Sequence, residues 1–170
     1  MLKKMMLSAG VAAAILGSAA IAQAKDPPGA KFVMKATQGN LAEVQMGQLA
    51  QANGQSADVK SFGQMLQTDH SAANQKLSAV AGQMGVTPPT EPSKKQKADH
   101  DKMSKLSGDK FDRAFAKHMV MDHKKDIADY KKQAKMKNDP TAGYASDTLP
   151  TLEKHLETAQ SLAKGAPKTQ

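Results

Sequence analysis

Five histidines and a few acids carry whatever chemistry this chain has. His70 sits in "QMLQTDHSAANQKL", residues 64–77, next to Asp69 and inside an apolar helical pattern. Stepped at 100° per residue, Val59, Phe62, Leu66, Ala73, Leu77, Val80 and Met84 fall within an arc of about 60°. His70 lies on one margin of that stripe and Asp69 on the other. His123 fills the missing step between Met119 and Ile127 in the series Phe111, Phe115, Met119, Ile127, Tyr130, Ala134. His155 lies at the edge of the stripe Leu149, Leu152, Leu156, Ala159. Glu43 shares a face with Phe32, Ala36, Gly39, Met46, Gly47 and Ala50, and the small residues of this set let neighbouring helices come close. His118 could also face inward, three residues after Phe115, and His100 lies among Lys and Asp.

One inward ionisable residue from each of four helices is costly unless the groups pair or bind a cation. A single inward histidine is most simply a core group bonded to a carboxylate or a carbonyl. The set Glu43, His70, His123 and His155 together can hold one transition-metal ion, zinc, copper, nickel or iron. Asp69 is then placed to accept an N–H from a ligand histidine and fix its tautomer. The alternative, an apo network of histidines and carboxylates, stays open. A di-iron centre is not expected: there is no Glu-x-x-His and too few inward carboxylates. The mature methionines lack Met-x-x-Met clustering and read as helix formers and gap fillers. No phosphate loop, nucleophile elbow or His-Glu-x-x-His motif occurs, so Ser or Cys catalysis has no support.

Helices must position these residues. Ala, Gln, Lys, Met and Leu dominate and the strand signal is thin. "KDPPGA" reads as a tether ending near Ala30. Helices are expected over about 31–52, from Ser56 to about Met84, a short one over 94–106 capped by Ser93, one over about 109–137, and one from Asp139 or Pro140 to Lys164. Pro150 should kink the last helix or restart it with Asp147 or Thr148 as cap. The break over 86–108 exceeds the two to eight residues usual between bundle helices and can travel the bundle's length. The expected fold is all-α: a ferritin-like four-helix bundle whose long crossover carries a short extra helix.

"MLKK", an apolar small-residue run and "AQA" form the three-part pattern of a secretory signal peptide, expected to be cleaved after Ala24. The other reading is an uncleaved anchor, although the run is short for a span of about 20 residues. The mature chain, 25–170, has one domain's length, with its core over about 31–164, and a periplasmic location is expected. Losing Lys3 and Lys4 takes the formal charge from +8 to +6. That charge allows weak contact with an anionic envelope surface, while the lysines are interleaved with Asp and Glu as on an ordinary solvated surface. Four Phe, two Tyr and no Trp argue against nucleic-acid binding. No other stretch could cross a membrane. With no Cys, disulfides and thiolate metal sites are excluded.

"FVMKATQGNLAEVQMGQLA", "VKSFGQMLQTDHSAANQKL", "LSGDKFDRAFAKHMVMDHKKDI" and "DTLPTLEKHLETA" resemble the four blocks of the bacterial "domain of unknown function 4142" family, over roughly Phe32 to Leu162. The resemblance implies an exported, ferritin-like protein without an established activity. It also implies that Glu43, Asp69, His70, Asp112, His123 and His155 are the recurring polar positions, and it leaves His118 out. Two functions remain: an exported bundle binding one transition metal, or a non-enzymatic envelope or stress-related protein in which the cluster is structural and the surface meets an unknown protein partner.

Overall fold

The computed structural model describes residues 26–165, and the expected leader and its cleavage point lie outside them. The described chain is all-α: α1 (Ala30–Asn53), α2 (Ala57–Gln83), α3 (Lys94–Met103), α4 (Gly108–Gln133) and α5 (Ala142–Gly165). No helix among the described residues is long and apolar enough to cross a membrane.

Local chemistry sets the helix ends. The Ser56 hydroxyl accepts from the Val59 N–H at 3.2 Å and opens α2. Ser93 and Gln96 form a reciprocal capping box at the start of α3. α4 stops at Gln133, four residues short of the expected Lys137, in a turn that places Asn138 at φ 58°. α5 begins at Ala142 rather than Asp139 or Pro140. The Asp139 carboxylate captures the Thr141 N–H (2.9 Å) and hydroxyl (2.7 Å), which makes a side-chain turn where a first helical turn was expected. Pro150 neither ends nor restarts α5. Thr148 donates its hydroxyl back to the Tyr144 carbonyl within the helix (2.7 Å) instead of capping a new one.

Two apolar clusters fix the topology. One joins Met46 and Ala50 at the end of α1, Val59, Phe62 and Leu66 early in α2, Phe111, Phe115 and Met119 early in α4, and Ala159 late in α5. The other joins Val33 and Ala36, Leu77 and Ala81, Ile127 and Tyr130, and Tyr144, Ala145 and Leu152. The helices α2 and α4 therefore run parallel, as do α1 and α5. The crossover containing α3 must carry the chain back along the whole bundle. α1 packs chiefly along α2, and α4 along α5, while α2 meets α5 and α1 meets α4 more lightly. This is the ferritin-like arrangement of two hairpins. α3 touches α1 and α4 and so lies over their seam.

The loop between α1 and α2 is tied to the second hairpin by Asp112, whose carboxylate accepts from the Gln55 and Ser56 N–H groups, both at 2.9 Å. Inside the first hairpin, Gly47 and Gly63 bring the α1 and α2 backbones together. A Cβ on Gly63 would stand 2.6 Å from the Gly47 carbonyl oxygen.

Candidate metal centre

Between the two apolar clusters lies a polar layer. Thr37, Asn40 and Glu43 from α1, His70 from α2, His123 from α4 and His155 from α5 are all buried. Leu66, Met119 and Phe62 close it on one side and Leu77, Ile127 and Leu152 on the other. The Phe62 ring stands edge-on to His155 with centroids 5.9 Å apart.

Each imidazole has its outer nitrogen tied to an acceptor. His70 Nδ1 lies 2.9 Å from Asn40 Oδ1. The Asn40 amide is oriented by its other contacts, since its Nδ2 donates to the Tyr144 hydroxyl (3.2 Å) and to Asn74 Oδ1 (3.3 Å). His123 Nδ1 lies 3.0 Å from the Met119 carbonyl. His155 Nε2 lies 2.9 Å from Asp69 Oδ2. An acceptor at one nitrogen assigns the proton to that nitrogen. It leaves lone pairs on His70 Nε2, His123 Nε2 and His155 Nδ1. His70 Nε2 is buried without a partner, and His123 Nε2 and His155 Nδ1 face each other at 3.3 Å. One ring nitrogen from each of the three lies within 4.8 Å of the others.

The electrostatics keep these rings neutral. Burial pushes His70 well below the usual histidine range, and the neighbouring His123 and His155 push it further. His123 is lowered to about 4 by burial and by His155. His155 is lowered by burial, against the opposing pull of Asp69. A neutral imidazole is the form that ligates a metal.

Glu43 belongs to the layer but has different company. The charged groups that act on it are Asp122 and Asp126 of α4, and burial with their negative charge holds its carboxyl well above the usual range. It is not among the residues whose donor atoms converge. Asp126 is raised to about 6, by burial and then by Asp122, against the pull of Lys125. Asp69 is partly exposed, its side chain 38% accessible, and bridges His155 to the surface. His100 lies in α3 beside Asp101, 3.8 Å away, and His118 is half-buried outside the converging set.

The sequence reading missed Asn40, Asp122 and Asp126. Asn40 is four residues after Ala36 and three before Glu43, so the 3.6-residue period places it inward. At 100° per residue Asp122 and Asp126 fall within the arc of the α4 stripe, Asp126 seven residues after Met119, but as acids they are not part of its apolar series.

Glu43 gives a pH prediction. Its folded pKa is above the unfolded value, so its contribution is present below about pH 4.5 and is lost as pH rises towards the folded value. Replacing it by Gln removes that loss. Glu43→Gln should therefore gain stability relative to wild type as pH rises from about 4.5, at up to about 1.4 kcal/mol per pH unit. Urea midpoints between pH 4.5 and 8 measure the difference, and a difference independent of pH would show that Glu43 ionises as freely in the folded chain as in the unfolded one.

A protein-family model described as domain of unknown function (DUF4142) matches residues 16–162. Neither a curated protein nor a solved structure matches the chain.

Proposed function

The chain belongs to the DUF4142 family, whose description assigns no activity, and we propose that it is an exported ferritin-like bundle that binds one transition-metal ion through His70, His123 and His155. The observation that carries this reading is the trio of converging lone pairs. Two of them face each other at 3.3 Å with no proton assigned between them, and the third has no partner. A cation satisfies all three lone pairs at once. For zinc, with Zn–N of about 2.0–2.1 Å and tetrahedral angles, neighbouring ligand nitrogens stand about 3.3–3.4 Å apart. The His123–His155 separation meets that value. His70 needs only to close towards them.

Three imidazoles leave a fourth position for water or an external ligand. An all-nitrogen set favours zinc, copper, nickel or iron over magnesium or calcium. Asn40, the Met119 carbonyl and Asp69 would orient the ligands, and Asp69 would also make the His155 ring more basic. Glu43, expected from the sequence as a fourth ligand, stands under the influence of Asp122 and Asp126 of α4 and is not used in this reading. The leader pattern of residues 1–24 supports export to the periplasm.

The rival reading, a non-enzymatic envelope or stress-related protein with an apo network, is favoured by one observation: every outer histidine nitrogen is already hydrogen-bonded. Equilibrium dialysis of untagged protein followed by elemental analysis separates the two. The metal reading expects one ion per chain, lost in His70→Ala, His123→Ala and His155→Ala and kept in His100→Ala. Substoichiometric metal that survives all three substitutions would favour the network.

A further inference from the structure

We infer that the cleft between α2 and α5 is the port through which a hydrated divalent transition-metal cation reaches the three-histidine centre, with Asp69 as the carboxylate that receives it. The inference rests on the metal reading above and adds a route to it.

A buried centre needs a way in, and the bundle has two light seams, α1/α4 and α2/α5. α3 lies over the first. There Asp126 is also engaged by the Lys125 ammonium at 3.2 Å. The α2/α5 seam instead carries a cleft of about 370 Å³, with Asp69, Ala72, Lys76, Tyr144, Asp147 and Thr151 in its walls. Six water molecules at about 30 Å³ each make an aqua ion of roughly 200 Å³, which fits.

Asp69 connects this cleft to the centre. Its side chain is 38% accessible, lines the cleft, and lies 2.9 Å from His155 Nε2. The opposite nitrogen of the same ring faces His123. One partly exposed side chain and one ring therefore separate the cleft from the lone pairs. Asp69 and Asp147 give the cleft two carboxylates against the single ammonium of Lys76, a balance that favours a cation. Tyr144, at the same wall, bonds the Asn40 amide that holds His70. The cleft thus borders the supports of two ligands, and the His155 ring is the last group between it and the lone pairs.

Cobalt(II) uptake by the apo full-length mature chain, followed by stopped-flow absorbance of its ligand-field bands, tests the route. Ala72→Trp and Thr151→Trp fill the cleft from its two walls. Each should slow uptake, and release to a chelator, at least tenfold while leaving the equilibrium affinity within about twofold. Ser161→Trp, in a different surface cleft lined by Ser56, Arg113 and Leu162, should change neither rate. Asp69→Asn should slow uptake and flatten its dependence on ionic strength, because capture by a carboxylate is electrostatic. Circular dichroism confirms that each variant is folded, and two independent plugs guard against the failure of one. If wild type binds cobalt and neither plug changes the rates, the port is wrong and the metal reading stands. If wild type binds none of cobalt, zinc, copper, nickel or iron, the metal reading falls and the port with it.

Discussion

Zinc at a hundredfold excess over its dissociation constant should raise the unfolding free energy of the wild-type chain by about 2.7 kcal/mol, and its melting temperature by roughly 5–10 °C. The size follows from mass action on an ion that binds only the folded form. The location makes it a global effect. His70 comes from the first hairpin and His123 and His155 from the second, so one ion held by all three would tie together two halves that otherwise meet along light seams. His70→Leu should abolish the shift, since two nitrogens remain, yet cost the apo protein little. The leucine replaces a ring whose Nε2 has no partner, and the loss is confined to the Asn40 Oδ1 acceptor, about 1–2 kcal/mol. The apo-network reading expects the reverse: no zinc shift in wild type and a larger intrinsic loss in the variant. Differential scanning calorimetry of both proteins, with and without zinc, at pH 7.5 decides. The pH matters because ligation requires neutral imidazoles, and the shift should shrink in acid as protons compete.

The helices were legible because their signals are local. Apolar residues repeat at 3.6-residue spacing, and Ser56 and Ser93 stand where caps belong. The crossover was legible from length alone, since residues 86–108 are too many for a tight turn. The turn into α5 was misjudged because Asp139 can cap a helix or close a turn on Thr141, and only the contacts of Thr141 with Gln133 and Asp139 select the turn. The polar layer divides in the same way. A helical wheel reports that Glu43, His70, His123 and His155 face inward, and all four are buried. It cannot report which neighbour an α1 residue meets. α1 borders both α2 and α4, and Glu43 turns out to be influenced by Asp122 and Asp126 while Asn40 takes the place beside His70. A face is a property of one helix and can be read from spacing. A site depends on the rotation of several helices about their own axes, and the close approach at Gly47 and Gly63 helps set that rotation.

Gly63→Ala is therefore the substitution expected to disturb fold and site together. The same change at Gly82 supplies the reference. Both residues lie within α2. A Cβ on Gly82 would meet nothing within 4 Å, so Gly82→Ala should gain up to about 1 kcal/mol from helix propensity alone. At Gly63 the added Cβ would lie 2.6 Å from the Gly47 carbonyl oxygen, 2.8 Å from the Ala50 Cβ and 3.3 Å from the Gln51 nitrogen. Two of these are backbone atoms, which cannot turn aside as a long side chain can. The helices must separate. Overpacking of this kind costs about 1–3 kcal/mol, occasionally more, and outweighs the propensity gain. The two alanine variants should move the urea midpoint in opposite directions. His70 is two helical turns beyond Gly63 on the same face, so moving α2 away from α1 also changes the distance from His70 to Asn40 and to the other two rings. Metal affinity in Gly63→Ala should then fall at least tenfold, whereas Gly82→Ala keeps the wild-type value. If Gly63→Ala loses stability but retains full affinity, the packing of the first hairpin does not set the position of His70.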